Sequence, residues 1–150
     1  MKINTRKFGE INIDEKKILS MPEGLPGFAG FERFVLLKDP KTAPFCWFQS
    51  LEEPDIALVI MDPLVFKPDY RLDIAKFISN MKWTDVKEED LIIYVVVNIT
   101  GEKENKKITA NLMGPLVINS NNNEVVQVVI SDPTYSCHYN ILEPSHSEGV

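Results

Sequence analysis

The stretch I-A-L-V-I-M-D-P-L-V-F-K-P-D-Y-R-L-D-I, from Ile56 to Ile74, decides how this chain is organised. Its first part, 56–61, is a continuous apolar run with β-branched side chains, which is typical of a short strand buried on both faces. Asp62-Pro63 then predicts the end of that strand, because proline has a fixed φ and no backbone N–H to donate to a sheet. We therefore expect a buried strand followed by a turn that leads outward.

The second part of the stretch predicts a binding surface. Pro68 adds a second rigid corner, and the acid–aromatic pair Asp69-Tyr70 follows it. We expect these corners to hold a compact acidic patch that suits binding another molecule better than transforming one. The candidate partner-binding residues are Asp62, Phe66, Asp69, Tyr70 and Asp73.

Length and composition indicate one ordinary globular domain. The chain has 150 residues, of which 44% are apolar and 25% charged. We expect a single domain over 1–142 and a loose polar tail over 143–150. No apolar run approaches the roughly 20 residues that cross a bilayer, and the N-terminus has no signal-like segment, so we expect a cytoplasmic protein. Cys46 and Cys137 are expected to be free buried thiols.

The charge of the chain is acidic and unevenly distributed. Residues 1–50 carry 8 basic and 6 acidic side chains, residues 51–100 carry 5 and 10, and residues 101–150 carry 3 and 6, which gives a net charge of −6. This balance disfavours direct contact with DNA or RNA, because nucleic-acid binding needs lysine and arginine against phosphate. It favours a basic protein partner.

Turn signals divide the chain into short apolar segments, which predict an all-β barrel or sandwich of about nine or ten strands with one or two short helices. The segments are a meander within 1–13 that turns at Gly9, then 18–21, 34–38, 45–50, 56–61, 91–99, 108–113, 116–118, 125–130 and a short edge strand at 141–142. The spacing of apolar residues predicts a helix over 74–83 with Asp73 as its N-cap, and a further helical turn or ordered loop over 84–90.

The proline- and glycine-rich segment 22–31 and the strand 45–50 carry more local predictions. We expect the segment to be a fixed loop whose glycines adopt positive φ and whose Leu25, Phe28 and Phe31 side chains lie on the core. In the strand, the period of two places Trp47 on one face and Cys46 with Phe48 on the other.

Sequence patterns for catalysis or metal binding are weak. Cys137 and His138 are adjacent, and in an extended segment their side chains would point to opposite faces, which would prevent an easy hydrogen bond. Cys46, Cys137, His138 and His146 lack the paired spacing of zinc ligands. The acidic residues are better explained as turn, cap and solvated residues. We therefore expect no enzyme activity, no cofactor and no metal.

Four motifs occur in order along nearly the whole chain. They are Gly24-Leu25-Pro26-Gly27-Phe28, then Phe45-Cys46-Trp47-Phe48-Gln49-Ser50, then Asp62-Pro63 with Phe66 and Asp69-Tyr70, and finally Asn111-Leu112-Met113-Gly114-Pro115-Leu116-Val117-Ile118-Asn119. Each is weak alone, but the ordered set over 1–142 resembles the flagellar assembly factor FliW family.

The resemblance implies a cytosolic β-barrel-like protein without catalytic activity that exchanges partners. Members of that family bind flagellin before export, and when free they bind the carbon storage regulator, an RNA-binding translational repressor, and antagonise it non-competitively. This would relieve the repression of flagellin translation. Two alternatives stay open, an export chaperone for flagellin only and a small hydrolase that uses Cys137.

Overall fold

The protein is mainly β, as the sequence predicts. The computed structural model describes residues 1–25, 27, 30–72, 83, 86–101 and 105–141. The strands are β1 (Lys2–Thr5), β2 (Gly9–Asn12), β3 (Leu19–Ser20), β4 (Arg33–Lys38), β5 (Cys46–Ser50), β6 (Ala57–Met61), β7 (Leu91–Thr100), β8 (Lys107–Ala110), β9 (Leu116–Asn119), β10 (Glu124–Gln127) and β11 (Tyr139–Asn140).

The central sheet closes on itself into a barrel. Its strand order is β11-β8-β7-β6-β5-β4-β3-β10-β9, and β9 also pairs with β7. Strand β7 makes this closure possible because it is ten residues long. Its first half pairs with β9, from Leu91 opposite Asn119, and its last residues pair with β8, up to Thr100 opposite Lys107. The closed ring runs through β7, β6, β5, β4, β3, β10 and β9 and removes the exposed edges that these strands would have in an open sheet. β8 and β11 extend from the second half of β7.

The side chains of β7 divide the core into two clusters, because successive residues of a strand point to opposite faces. Tyr94 packs in one cluster with Phe34 and Phe48, whose rings stack with centroids 4.3 Å apart. Val95 packs in the other, together with Trp83. The barrel framework is therefore built from apolar contacts on both sides of its longest strand.

Hairpins and loops follow the local signals. The N-terminal meander is the separate two-stranded sheet β1–β2, with Gly9 at φ 70°. In the loop before β4, Gly24, Gly27 and Gly30 all have positive φ. Leu25 is buried in the core, Phe31 packs against it, and Phe28 lies outside the described residues.

The β5 face assignments agree with the structure. Cys46 and Phe48 are buried in the core, and the half-buried Trp47 ring contacts Phe8 and the Lys7 ammonium group. The β5–β6 turn is fixed by Gln49, whose two amide N–H groups are shared among the carbonyl oxygens of Ser50, Pro54 and Ile56, which lie 3.0–3.2 Å from the amide nitrogen.

Several boundaries differ from the sequence prediction. β6 is fully buried only at Ile60 and Met61, and the rest of it is half-buried. The edge strand predicted at 141–142 lies earlier, at Tyr139–Asn140. β8 and β10 end earlier than predicted, at Ala110 and Gln127. The Asn111 and Val128 N–H groups nevertheless continue the strand register by donating to the carbonyl oxygens of Val96 and Pro115.

Helical structure in the described part of the chain consists of four 3-10 helices, at Glu15–Lys17, Pro40–Thr42, Pro63–Val65 and Glu88–Asp90. The last of them falls where the sequence predicts a helical turn or ordered loop. The predicted helix over 74–83 lies outside the described residues except for Trp83, as do its predicted cap Asp73 and the tail 143–150. Within those described residues, no helix is long and apolar enough to cross a membrane.

Candidate functional site

The candidate site begins where Asp62-Pro63 ends β6, as the sequence predicts. The Asp62 carboxylate accepts a hydrogen bond from the Leu64 N–H at 2.9 Å, and Pro63 occupies the first turn of the 3-10 helix. Proline suits this position because its missing N–H would have no partner there. The Lys67 N–H then donates to the Pro63 carbonyl oxygen at 2.9 Å, which completes the outward turn.

Tyr70 anchors the far end of this loop to the barrel. Its side chain is only 3% exposed, and its hydroxyl donates to the Leu112 carbonyl oxygen at 2.6 Å. Burial raises the pKa of Tyr70 above its ordinary value, so the hydroxyl keeps its proton. The Tyr135 ring packs on Tyr70 at 4.8 Å, and its hydroxyl accepts from the Arg71 N–H and donates to the Arg71 carbonyl oxygen.

Phe66 makes a second attachment in the middle of the loop. Its ring stacks on Tyr139 of β11 with centroids 5.6 Å apart. The Lys67 ammonium lies over the Tyr139 ring, 5.5 Å from its centroid. The same ammonium forms an ion pair with the Asp69 carboxylate at 3.3 Å. The loop is therefore held at its start, middle and end.

The structure places the predicted site residues in different environments. Asp62 and Asp69 are exposed, and Phe66 is half-buried. Tyr70 is buried, so its role at this site is to hold the loop and its ring is not available for direct contact with a partner. Asp73 lies outside the described residues.

The charge of the loop also differs from the expected acidic patch. Among its described residues, Lys67 and Arg71 alternate with Asp62 and Asp69. Lys67 neutralises Asp69 in part, although both groups have access to solvent and such pairs contribute little to stability. The surface is therefore mixed in charge over the described residues.

Apolar side chains that the sequence analysis missed lie between these charges. Leu64 and Val65 are 49% and 58% exposed, and Ile92 at the start of β7 is 44% exposed. A cleft of 510 Å³, which we call the Asp62 cleft, is lined by residues that include Asp62, Leu64, Arg71, Glu88 and Ile92. The exposure of Leu64 and Val65 could have been predicted from the sequence, because an apolar pair directly after a strand-ending proline cannot continue the buried strand.

The Cys137–His138 prediction was wrong in its geometry. The segment is a turn and not an extended strand, and the Cys137 Sγ atom lies 3.2 Å from the His138 Nδ1 atom. Cys137 is also exposed, contrary to the expectation of two buried thiols, whereas Cys46 is buried. Burial raises the pKa of the Cys46 thiol and so favours the protonated form, which is the inert form of a core cysteine.

The geometry around Cys137 and His138 gives little support to catalysis. The His138 backbone N–H donates to the Ser136 hydroxyl, so this turn is closed locally. Neither residue lines the Asp62 cleft. Among the described residues, no group of three or more histidine, cysteine, aspartate or glutamate side chains comes together to hold a metal ion.

The fold and the loop define a class of protein, a small closed β-barrel with a cleft at the end of its β6 strand. Comparison with known proteins then gives the family, since the family model described as FliW protein matches residues 2–141. The chain belongs to the FliW family.

Relatives of similar length support this assignment. The chain is 39% identical over 145 residues to the flagellar assembly factor FliW of Caldanaerobacter subterraneus subsp. tengcongensis, a match that covers 95% of this chain and 94% of the relative. It is 34% identical over 150 residues to the flagellar assembly factor FliW of Treponema denticola, which covers 99% of both chains. A crystal structure of the flagellar assembly factor FliW superposes with a TM-score of 0.82 at 29% identity, covering 96% of this chain and 99% of that one.

Proposed function

We propose that this protein is a non-enzymatic flagellar assembly factor of the cytoplasm that exchanges two protein partners. It binds flagellin, and when free of flagellin it binds the carbon storage regulator and relieves the repression of flagellin translation. The observation that carries this proposal is the match over nearly the whole chain to relatives named flagellar assembly factors.

The loop after β6 is the surface that we propose for the regulator. It presents the exposed carboxylates of Asp62 and Asp69 beside the exposed apolar pair Leu64 and Val65. Burial of exposed apolar side chains favours association, and surrounding charges set partner choice and association rate. We propose that Phe66 and Tyr70 hold this surface in place. Asp73 is also proposed to belong to the surface, on the basis of the sequence.

A held loop suits this role energetically. Because the loop is already tied to Leu112, Tyr135 and Tyr139, little conformational entropy is lost when a partner binds. Negative charge placed beside the RNA-binding surface of the regulator would raise the cost of bringing phosphate close, and salt would weaken the effect. Antagonism in this form does not require the protein to occupy the RNA site.

The first test of the proposal is direct binding. Purified protein is titrated against the purified regulator and against flagellin, with binding followed by interferometry. We expect both to bind and flagellin to displace the regulator. Binding to neither partner would overturn the proposal, and binding to flagellin alone would leave only the export chaperone.

The second test locates the regulator surface. We expect the double variant Asp62→Asn, Asp69→Asn to weaken regulator binding by about tenfold or more, an effect that shrinks as salt increases. Asparagine at residue 62 keeps the side-chain oxygen that caps the 3-10 helix, so the loop stays in place. The matched control is Glu23→Gln, Asp55→Asn, which changes the net charge equally at two exposed carboxylates outside this loop. Equal weakening by both double variants would exclude this loop as the contact surface.

A further inference from the structure

A second cleft on the barrel is lined by basic side chains. It has a volume of 460 Å³ and brings together Lys16 and Lys17 from the first 3-10 helix and Lys38 from the end of β4. No carboxylate occurs among the described residues that line it. We call it the lysine cleft.

The three lysine side chains are exposed, and none of them forms an ion pair with an acidic side chain in the described part of the chain. The ion pairs among the described residues are Lys2–Glu10, Arg33–Glu52 and Lys67–Asp69, and none involves the lysine cleft. What distinguishes these three lysines is that they line one cleft together. Clustered unpaired ammonium groups create a local positive potential that attracts anions.

The wall and floor of the lysine cleft are apolar with a few polar groups. Leu36, Ile92 and Ile118 line it, and Ile92 stands opposite Ile118 in the β7–β9 pairing. Ser120 and Asn123 line it from the β9–β10 turn, where the Asn123 amide donates to the Lys16 carbonyl oxygen at 2.8 Å. That hydrogen bond ties the lysine-bearing 3-10 helix to the barrel, so the lysines are presented from a fixed backbone.

We infer that the lysine cleft binds an acidic peptide segment of a partner protein, one in which apolar side chains lie among carboxylates. The carboxylates match the three ammonium groups, and the apolar side chains match the isoleucine and leucine wall. Lysine suits this task because its ammonium reaches carboxylates from a flexible stem while the stem covers apolar surface.

A peptide fits this cleft better than a nucleic acid does. An extended polyanion would meet the field of a protein with net charge −6, whereas a short segment meets chiefly the local charges within a Debye length. Among the described residues that line the cleft, Tyr94 is the one aromatic residue, and it is buried, so these residues offer no exposed ring on which a base could stack. The inference does not depend on the proposed function, because the proposed regulator surface uses other charged residues.

The test uses a fluorescein-labelled peptide of glutamates with interspersed leucines, followed by fluorescence anisotropy against the whole protein near physiological salt. An analogue with glutamine in place of glutamate and a labelled poly(U) RNA serve as comparison probes. We expect the glutamate peptide to bind at least about tenfold more tightly than the glutamine analogue, since charge attraction is lost in the latter. Tighter binding of the RNA than of the glutamate peptide would overturn the inference.

Matched charge reversals locate the binding. We expect Lys16→Glu, Lys17→Glu to weaken peptide binding by at least about tenfold, because two attractions become repulsions inside the cleft. The control Lys106→Glu, Lys107→Glu makes the same change in net charge at two exposed lysines on and beside β8. Both variants replace exposed side chains, and equal melting temperatures verify that they fold. Similar weakening by the two variants would show that only overall charge matters and would overturn the inference.

Discussion

Tyr70 shows how a residue of the candidate site can hold the site in place from a buried position. Its sequence context, an acid–aromatic pair after a proline, is that of an exposed contact residue. In the structure the ring is buried, and the Tyr70 hydroxyl donates a hydrogen bond to the carbonyl oxygen of Leu112, in the segment after β8. A buried carbonyl that loses its donor carries an uncompensated desolvation cost, so this single hydrogen bond matters for how firmly the loop is held.

We predict that Tyr70→Phe lowers the free energy of unfolding by about 1–3 kcal/mol, because the Leu112 carbonyl is left unsatisfied while the ring contacts stay. Urea denaturation followed by tryptophan fluorescence measures this change. Tyr139→Phe is the control, since no hydrogen bond of the Tyr139 hydroxyl is present among the described residues and its ring still stacks on Phe66. A loss of the same size in the control would show that the hydrogen bond to Leu112 is not the cause.

The element that organises the site is the three-residue 3-10 helix Pro63–Val65 between β6 and the loop. Asp62 serves it as an N-cap while also presenting charge to solvent. The sequence predicted both roles for Asp62 and could not separate them. In the structure they use different properties of one side chain, since the cap needs an acceptor oxygen and the electrostatic role needs a negative charge.

This separation gives a prediction for two substitutions at one position. Asp62→Ala removes the cap and should lower the free energy of unfolding by about 1 kcal/mol, whereas Asp62→Asn keeps an acceptor oxygen and should cost much less. Thermal unfolding of both variants measures the difference. For regulator binding we expect the asparagine variant to be impaired although it is stable. If asparagine destabilises as much as alanine does, the capping geometry does not describe this residue.

At the scale of the whole molecule, barrel closure depends on one long strand that has different partners at its two ends. β7 pairs with β6 along one edge and with β9 and β8 along the other. The β1–β2 hairpin, in contrast, forms its own two-stranded sheet, which bonds to the β5–β6 turn through the Arg6 N–H and the Pro54 carbonyl. Isolated two-stranded hairpins are marginal in water, so this part should open more easily.

We predict that backbone amides of β1 and β2 exchange with deuterium through local opening, well before the central amides of β7, such as those of Val95 and Val97. Native-state hydrogen exchange followed by mass spectrometry or NMR resolves the two groups. Comparable exchange rates in the hairpin and in β7 would show that the protein opens as one cooperative unit.

Local sequence signals were sufficient to find the strands, although the ends of β8, β10 and β11 differ from the prediction by two or more residues. Alternating and β-branched runs gave the strands, Asp62-Pro63 gave the end of β6, and Gly24, Gly27 and Gly30 gave the positive-φ loop. These predictions succeed because each depends on the backbone preferences of a few neighbouring residues. The family could also be identified from the sequence, because its motifs are short contiguous stretches that occur in a fixed order.

Which side chains meet across the fold was decided only by the tertiary structure. Tyr70 became an anchor because Leu112 happens to lie beside it, 42 residues further along the chain. Cys137 and His138 came into contact because their segment turns. Lys16, Lys17 and Lys38 share a cleft because β3, which follows Lys17 closely in the chain, pairs with β4, which ends at Lys38. Local propensities carry no information about such distances, because barrel closure fixes them through strand pairings between residues far apart in sequence.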